Sequence, residues 1–159
     1  MNKNQNLIPL ICQIHYQQSR NVDSITKNED RFKRSITLVA GSEWEEIYFS
    51  PGTAKFEEKT KRNKAGILYN QKLSFKFPGE DDDNIEAISN LVIIPVILKV
   101  TYNNGKSKII GDLNNPVKVD QDYSSDNKAI QFDFVIEHES SHPAYWFETI
   151  SGGEPPPDE

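Results

Sequence analysis

The sequence predicts a mainly β protein, an antiparallel β-barrel or β-sandwich with one short helix. Three observations lead there. Apolar and polar residues alternate with period two through most apolar segments, as in Leu73, Phe75 and Phe77 against Lys72, Ser74 and Lys76. Turn-forming pairs punctuate these segments, among them Gly41-Ser42, Pro51-Gly52, Pro78-Gly79 and Asn104-Gly105. Only one segment has helical spacing, and no βα unit repeats.

Residues 7–18 open the fold as a strand, with Ile8, Leu10, Cys12 and then Ile14 or Tyr16 at recurring positions, and Pro9 sets its start at an edge or a bulge. Residues 19–33 are polar, with only Val22, Ile25 and Phe32 apolar, and read as an extended loop or as an arm that orders against a neighbour. Residues 35–40 alternate as a strand, and residues 44–50 repeat the pattern with Ile47 and Phe49. Gly41-Ser42 between them is a tight-hairpin signal. Residues 53–59 form a short strand followed by a polar stretch to Gly66, and residues 68–77 form a longer one.

Asp81-Asp82-Asp83 precedes Ile85, Ile88 and Leu91 or Val92, which predicts the helix. Carboxylates there cap free N–H groups and meet the positive dipole end. The triplet lacks the spaced ligands and the glycine of a calcium loop. Val96, Leu98, Val100 and Tyr102 then run into Asn103-Asn104-Gly105, and Lys108-Ile109-Ile110 returns. Asn-Gly predicts a two-residue type I′ turn. Val117 and Val119 mark a short strand, residues 124–128 a loop, and residues 129–137 the closing strand. Residues 151–159, with Gly152-Gly153 and Pro155-Pro156-Pro157, are expected to be a disordered tail. Residues 1–150 thus read as a single β domain of about eight or nine strands with an assembly arm at 19–34.

Charge and composition narrow the function. A net charge of −6 argues against nucleic-acid binding, which needs a basic face. The one basic stretch, residues 55–64, is interrupted by Glu57 and Glu58 and reads as a solvated loop or strand edge. The single cysteine, Cys12, rules out an intrachain disulfide, fits a reducing compartment and is expected to be a small buried hydrophobe. No run approaches the ~18 apolar residues of a membrane helix, and the polar start at residues 1–6 lacks the apolar core of a secretion signal.

His138-Glu139-Ser140-Ser141-His142 spells the zinc signature H-E-x-x-H. That motif needs a helix to place both imidazoles one turn apart beside the glutamate. Ile130, Phe132, Phe134 and Ile136 instead alternate as a strand into it, and Pro143 pushes the residue before it out of the α region. The geometry disfavours zinc. His15 is the third histidine, on a half-exposed strand face with nothing to bring it near the other two.

Other catalytic patterns are also missing. No G-x-S-x-G elbow surrounds Ser42 or Ser151. Gly105-Lys106-Ser107 ends like a P-loop, but Val100 stands where its first glycine belongs and a strand follows. Adjacent carboxylates such as Glu45-Glu46 and Glu57-Glu58 face opposite ways in a strand, poor geometry for acid–base partners. No enzyme, cofactor or metal is expected. Tyr145-Trp146-Phe147 cannot all face one core, so they either contact another subunit or plug the open end of the β core.

The segments Gly52-Thr53-Ala54-Lys55-Phe56-Glu57-Glu58 and Ala65-Gly66-Ile67-Leu68-Tyr69-Asn70-Gln71-Lys72-Leu73 carry a resemblance. So do Val96 to Tyr102 with Asn104-Gly105, Gly111 with Asn115-Pro116-Val117, Phe132-Asp133-Phe134, and Ser141-His142-Pro143-Ala144-Tyr145-Trp146-Phe147. Together they resemble a family of small virion structural proteins of Bacteroides-type phages and prophages. The resemblance implies a subunit of the tail or the head–tail junction, without catalysis, assembled in the bacterial host cytoplasm and ending in the virion. Its partners would be copies of itself in a ring and other virion proteins, with no membrane and no specific nucleic acid. It does not extend to residues 1–34 or to the proline tail.

On this reading the candidate subunit interface is Phe32, Lys55, Lys59, Lys61, Arg62, Tyr145, Trp146 and Phe147. Two alternatives stand beside it. One is a monomeric β-sandwich binding module at a host-recognition tip, with the aromatic trio as its platform. The other is a zinc hydrolase acting through His138 and His142.

Overall fold

Two open sheets share one apolar core in the computed structural model, which describes residues 10–78, 82–125 and 130–148. The strands are β1 (Ile11–Gln18), β2 (Val22–Lys27), β3 (Lys33–Leu38), β4 (Glu45–Ile47), β5 (Lys55–Asn63), β6 (Gly66–Pro78), β7 (Val96–Tyr102), β8 (Ser107–Ile110), β9 (Gln121–Ser125), β10 (Ile130–Ser140) and β11 (Tyr145–Phe147). Helix α1 (Asp82–Ile93) lies between β6 and β7, and a 3-10 turn, Ser19–Asn21, joins β1 to β2. The seven-stranded sheet has the order β2-β3-β11-β8-β7-β1-β4, and the four-stranded sheet β5-β6-β10-β9. The end strands of neither sheet pair with each other, so the architecture is a sandwich and not a closed barrel.

Alternation fills the space between the sheets. Ile14, Tyr16, Val96, Leu98, Val100 and Ile110 from one meet Leu73, Phe75, Phe77, Phe134 and Ile136 from the other. Phe75 and Phe134 are cross-strand partners whose rings stack at 5.1 Å. Leu91 of α1 is buried in the same cluster. A second cluster lies on the opposite face of β7 and β8, where Ile97 and Ile109 pack with Val22, Ile25, Ile36, Leu38, Trp44 and Phe147. The run Val96-Ile97-Leu98 is therefore buried on both faces.

Several expectations change. Cys12 is exposed, not buried. The β1–β7 register shifts between Ile11 and Gln13, so Cys12 is the extra residue of a bulge, and the face parity set by Ile14 and Tyr16 reverses before it. Residues 19–33 are not a free arm: Val22–Lys27 is β2, paired with β3. Its apolar pair Val22 and Ile25 suffices because the outer face of β7 and β8 is there to receive it.

Gly41-Ser42 makes no hairpin, since β3 pairs with β2 and β11 whereas β4 pairs with β1 at the far edge. Residues 55–63 are one long edge strand, paired with β6 along its length. The β7–β8 turn is not type I′. No non-glycine residue among those described has positive φ, Gly105 sits at φ 82°, and its N–H donates to the Tyr102 carbonyl at 2.9 Å. This is the three-residue loop, with a turn of ordinary sign ending in a left-handed glycine.

Val117 makes only an isolated bridge to Val96, and the strand that follows is Gln121–Ser125, part of which reads as loop from sequence. One pairing is parallel, β3 with β11. Residues 7–9, Asp81, residues 126–129 and the tail at 151–159 lie outside the described residues.

Gly111 shows how tightly the chain packs where the two clusters adjoin. It has φ 100°, and a Cβ there would lie 2.9 Å from Val117 Cγ2 and 3.2 Å from Ile97 Cδ1. Gly52, at φ 77°, has open space around it. Gly52→Ala is expected to cost about 1 kcal/mol from backbone strain alone. Gly111→Ala should cost about 3 kcal/mol, because overpacking is added. Urea unfolding of the two variants checks the difference, and equal losses would contradict the packing described.

Candidate functional site

The parity that sends Phe134 and Ile136 into the core sends His138 and Ser140 the same way, and both are buried. His138 is only 7% exposed. Asn115 Nδ2 donates to the Glu139 carbonyl at 2.9 Å and lies 3.4 Å from His138 Nε2, which accepts from it. Burial lowers the His138 pKa, and the neighbouring His142 lowers it further. The chain is strand through Ser140 and bends at Ser141 and His142, so the two imidazoles do not sit one helical turn apart. Among the described residues no three His, Cys, Asp or Glu side chains form a group able to hold a metal ion.

A polar network holds the bend. Glu58 Oε2 accepts from the Ala144 N–H at 2.8 Å and from Gln71 Nε2 at 3.0 Å. Gln71 Nε2 also reaches the His142 carbonyl at 3.4 Å, and the His142 N–H donates to Ser140 Oγ at 3.2 Å. His142 Nδ1 donates to the Pro143 carbonyl at 3.2 Å, and its Nε2 lies 3.6 Å from Asp112 Oδ2, an ion pair when the ring is protonated. Segments far apart in sequence, at Glu58, Gln71, Asp112, Asn115 and 140–147, thus meet at one corner.

Beyond the corner, β11 enters the seven-stranded sheet between β3 and β8. Tyr145 is stacked between two groups: the Arg34 guanidinium carbon lies 3.7 Å from its ring centre and the His142 ring 4.5 Å from it. Two groups so close cannot share one face, so they cover both. Trp146 packs on the core between the sheets and Phe147 on the second cluster. The aromatic trio is half-buried strand, flanked on both sides, and not an exposed platform.

Phe32 is 49% exposed beside this strand, its carbonyl accepting from the Trp146 N–H at 2.9 Å. Phe32, Trp146 and Phe147 line a shared hollow with Lys33 and Lys106. Lys55, Lys59, Lys61 and Arg62 lie elsewhere, exposed on the edge strand β5, with Lys55 paired to Glu57 at 2.7 Å. The structure therefore divides the candidate interface residues between two places. His15 is half-buried on the outer face of β1, opposite Lys99 and Glu46. Its pKa is lowered by burial and by Lys99, against an opposing effect of Glu46. Arg34 and Asp112 escape sequence reading, because a lone polar residue in or beside a strand has no periodicity to mark it.

Comparison with protein-family models, with curated proteins and with solved structures finds no match.

The lowered His138 pKa has a definite consequence for stability. The unfolded chain, with an imidazole near 6.5, takes up a proton before the folded one does. The stabilisation from a neutral buried ring is therefore present above pH 6.5 and is lost as pH falls below it. His15 is shifted in the same direction and adds to the slope. Unfolding free energy should fall by at most about 1.4 kcal/mol per pH unit for each histidine, and His138→Gln should flatten the profile. An unchanged profile in that variant would assign the slope to other groups.

Proposed function

We propose that this chain is a bacteriophage virion structural protein, a tail tube, tail completion or head–tail connector subunit that acts by protein–protein assembly and not by catalysis. The observation that supports it most is the projecting end of the β5–β6 hairpin. The last pair that β10 makes with β6 is Ser140 with Tyr69. Beyond it β5 and β6 continue alone through the pairs Lys61–Leu68, Arg62–Ile67 and Asn63–Gly66. Every residue from 59 to 67 is exposed.

A two-stranded ribbon with both faces in water is only marginally stable, and a neighbouring subunit would cover it. Its charge favours the same partner. Lys59, Lys61, Arg62 and Lys64 fall within residues 59–67, which contain no acidic residue, in a chain of net charge −6. Head-to-tail contact of this cationic ribbon with an acidic face of the next copy suits a closed ring. The cations also discourage indiscriminate pairing at the exposed β5 edge. The resemblance to phage structural proteins points the same way. Tyr145, Trp146 and Phe147 are occupied within the fold, so the ribbon is the leading contact in this reading.

Analytical ultracentrifugation over rising concentration, alone and with the tail proteins encoded in the same genome, tests it. The wild type should form a discrete ring or join those proteins. The triple variant Lys59→Glu/Lys61→Glu/Arg62→Glu should weaken assembly by at least about tenfold while keeping its β circular dichroism. A wild-type chain that stays monomeric in every mixture would refute assembly and favour the binding-module alternative.

A further inference from the structure

Arg34 is 7% exposed, yet no carboxylate pairs with it among the described residues. Its Nη1 donates to the carbonyls of Arg31 at 3.0 Å and Lys33 at 2.8 Å, and the guanidinium plane rests on Tyr145. A guanidinium has five N–H donors, and these two bonds leave the Nε and Nη2 donors, one side of the fork that matches an oxyanion. Neither is among the buried side-chain atoms left without a partner, so both keep contact with solvent and are open to a ligand.

The side chain lines a cavity of about 240 Å³ together with Ile25, Lys27, Ile109, Asp112, His142 and Tyr145. That volume holds several waters at about 30 Å³ each, room enough for a compact anion. The cavity is a local exception to the acidic chain. Arg34 and Lys27 bring two positive charges and Asp112 one negative, and Asp112 is already engaged with His142 and with the Leu113 N–H.

We propose that this cavity is a binding site for a compact oxyanion, a carboxylate or a phosphate, with Arg34 as its charged centre and Lys27 at its rim. Tyr145 holds the guanidinium plane in place from one side while His142 backs the ring from the other. Two sources offer this chemistry. One is a free or ligand-borne oxyanion. The other is the chain's own carboxylates Glu154, Asp158 and Glu159, since the described chain leaves this region at Glu148, whose N–H donates to the Arg34 carbonyl at 2.9 Å. The inference is independent of the assembly reading and concerns a different surface.

Calorimetric titration of the full chain with inorganic phosphate and with acetate, at constant ionic strength, tests it. Saturable one-to-one binding is expected, weakened at least about tenfold by Arg34→Gln. Lys27→Gln, at an exposed position, should also weaken binding and serves if the Arg34 variant fails to fold. A full-length variant with Glu154→Gln, Asp158→Asn and Glu159→Gln separates the sources. Tighter phosphate binding there than in the wild type identifies the tail as the native occupant, and equal binding identifies an external oxyanion. No saturable binding of either anion to the wild type or to the tail variant overturns the proposal, as does binding that neither Arg34→Gln nor Lys27→Gln changes.

Discussion

Strand β7 is buried on both faces and, with its neighbour β8, feeds both apolar clusters, and the placement of nearly every other segment follows from that. Val96, Leu98 and Val100 face the small sheet, and Ile97 faces the second cluster. A fully buried aliphatic side chain of this size contributes about 1.5–3 kcal/mol, so both faces of the strand must be covered. The small sheet covers one. The β2–β3 hairpin, Trp44 and Phe147 cover the other. With β1 paired on one side and β8 on the other, β7 also sets the register from which the large sheet grows.

The corner after β10 shows how the second constraint is met. The chain must leave the small sheet and insert β11 into the large one, between two strands already placed. Backbone groups freed at such a crossing need partners, and Glu58, Gln71, Ser140 and Asn115 supply them. The crossing carries Tyr145 onto Arg34 and so builds the cationic cavity as a by-product of sheet closure. The projecting β5–β6 ribbon is a separate surface, so the proposed assembly contact and the proposed anion site do not overlap.

Sequence periodicity was a sound guide wherever one face of a strand was buried. Leu73, Phe75 and Phe77, like Phe134 and Ile136, point where their alternation says they should, and a residue before Pro143 does not continue a helix. The β7–β8 hairpin was also legible, although its loop is one residue longer than Asn-Gly suggested, because Asn104 keeps negative φ and Gly105 alone turns left-handed. Legibility failed where a segment took its character from a distant partner. Val22 and Ile25 look too sparse for a strand until Ile97 and Ile109 lie beneath them. Gly41-Ser42 looks like a hairpin because local sequence cannot show that β1 is waiting at the far edge for β4. Cys12 looks inward until the bulge reverses the parity before Ile14.

By itself, then, the sequence determined the secondary-structure class, the main inward-facing residues, the position of α1 and the strand character of the run that leads into His138. These depend on local spacing and backbone sterics, which a linear text records. Tertiary structure alone decided the strand order, the parallel insertion of β11, the bulge, and the meeting of Arg34 with Tyr145, His142 and Asp112. Those depend on which distant apolar faces must cover one another, and a contact between residues a hundred positions apart leaves no period in either.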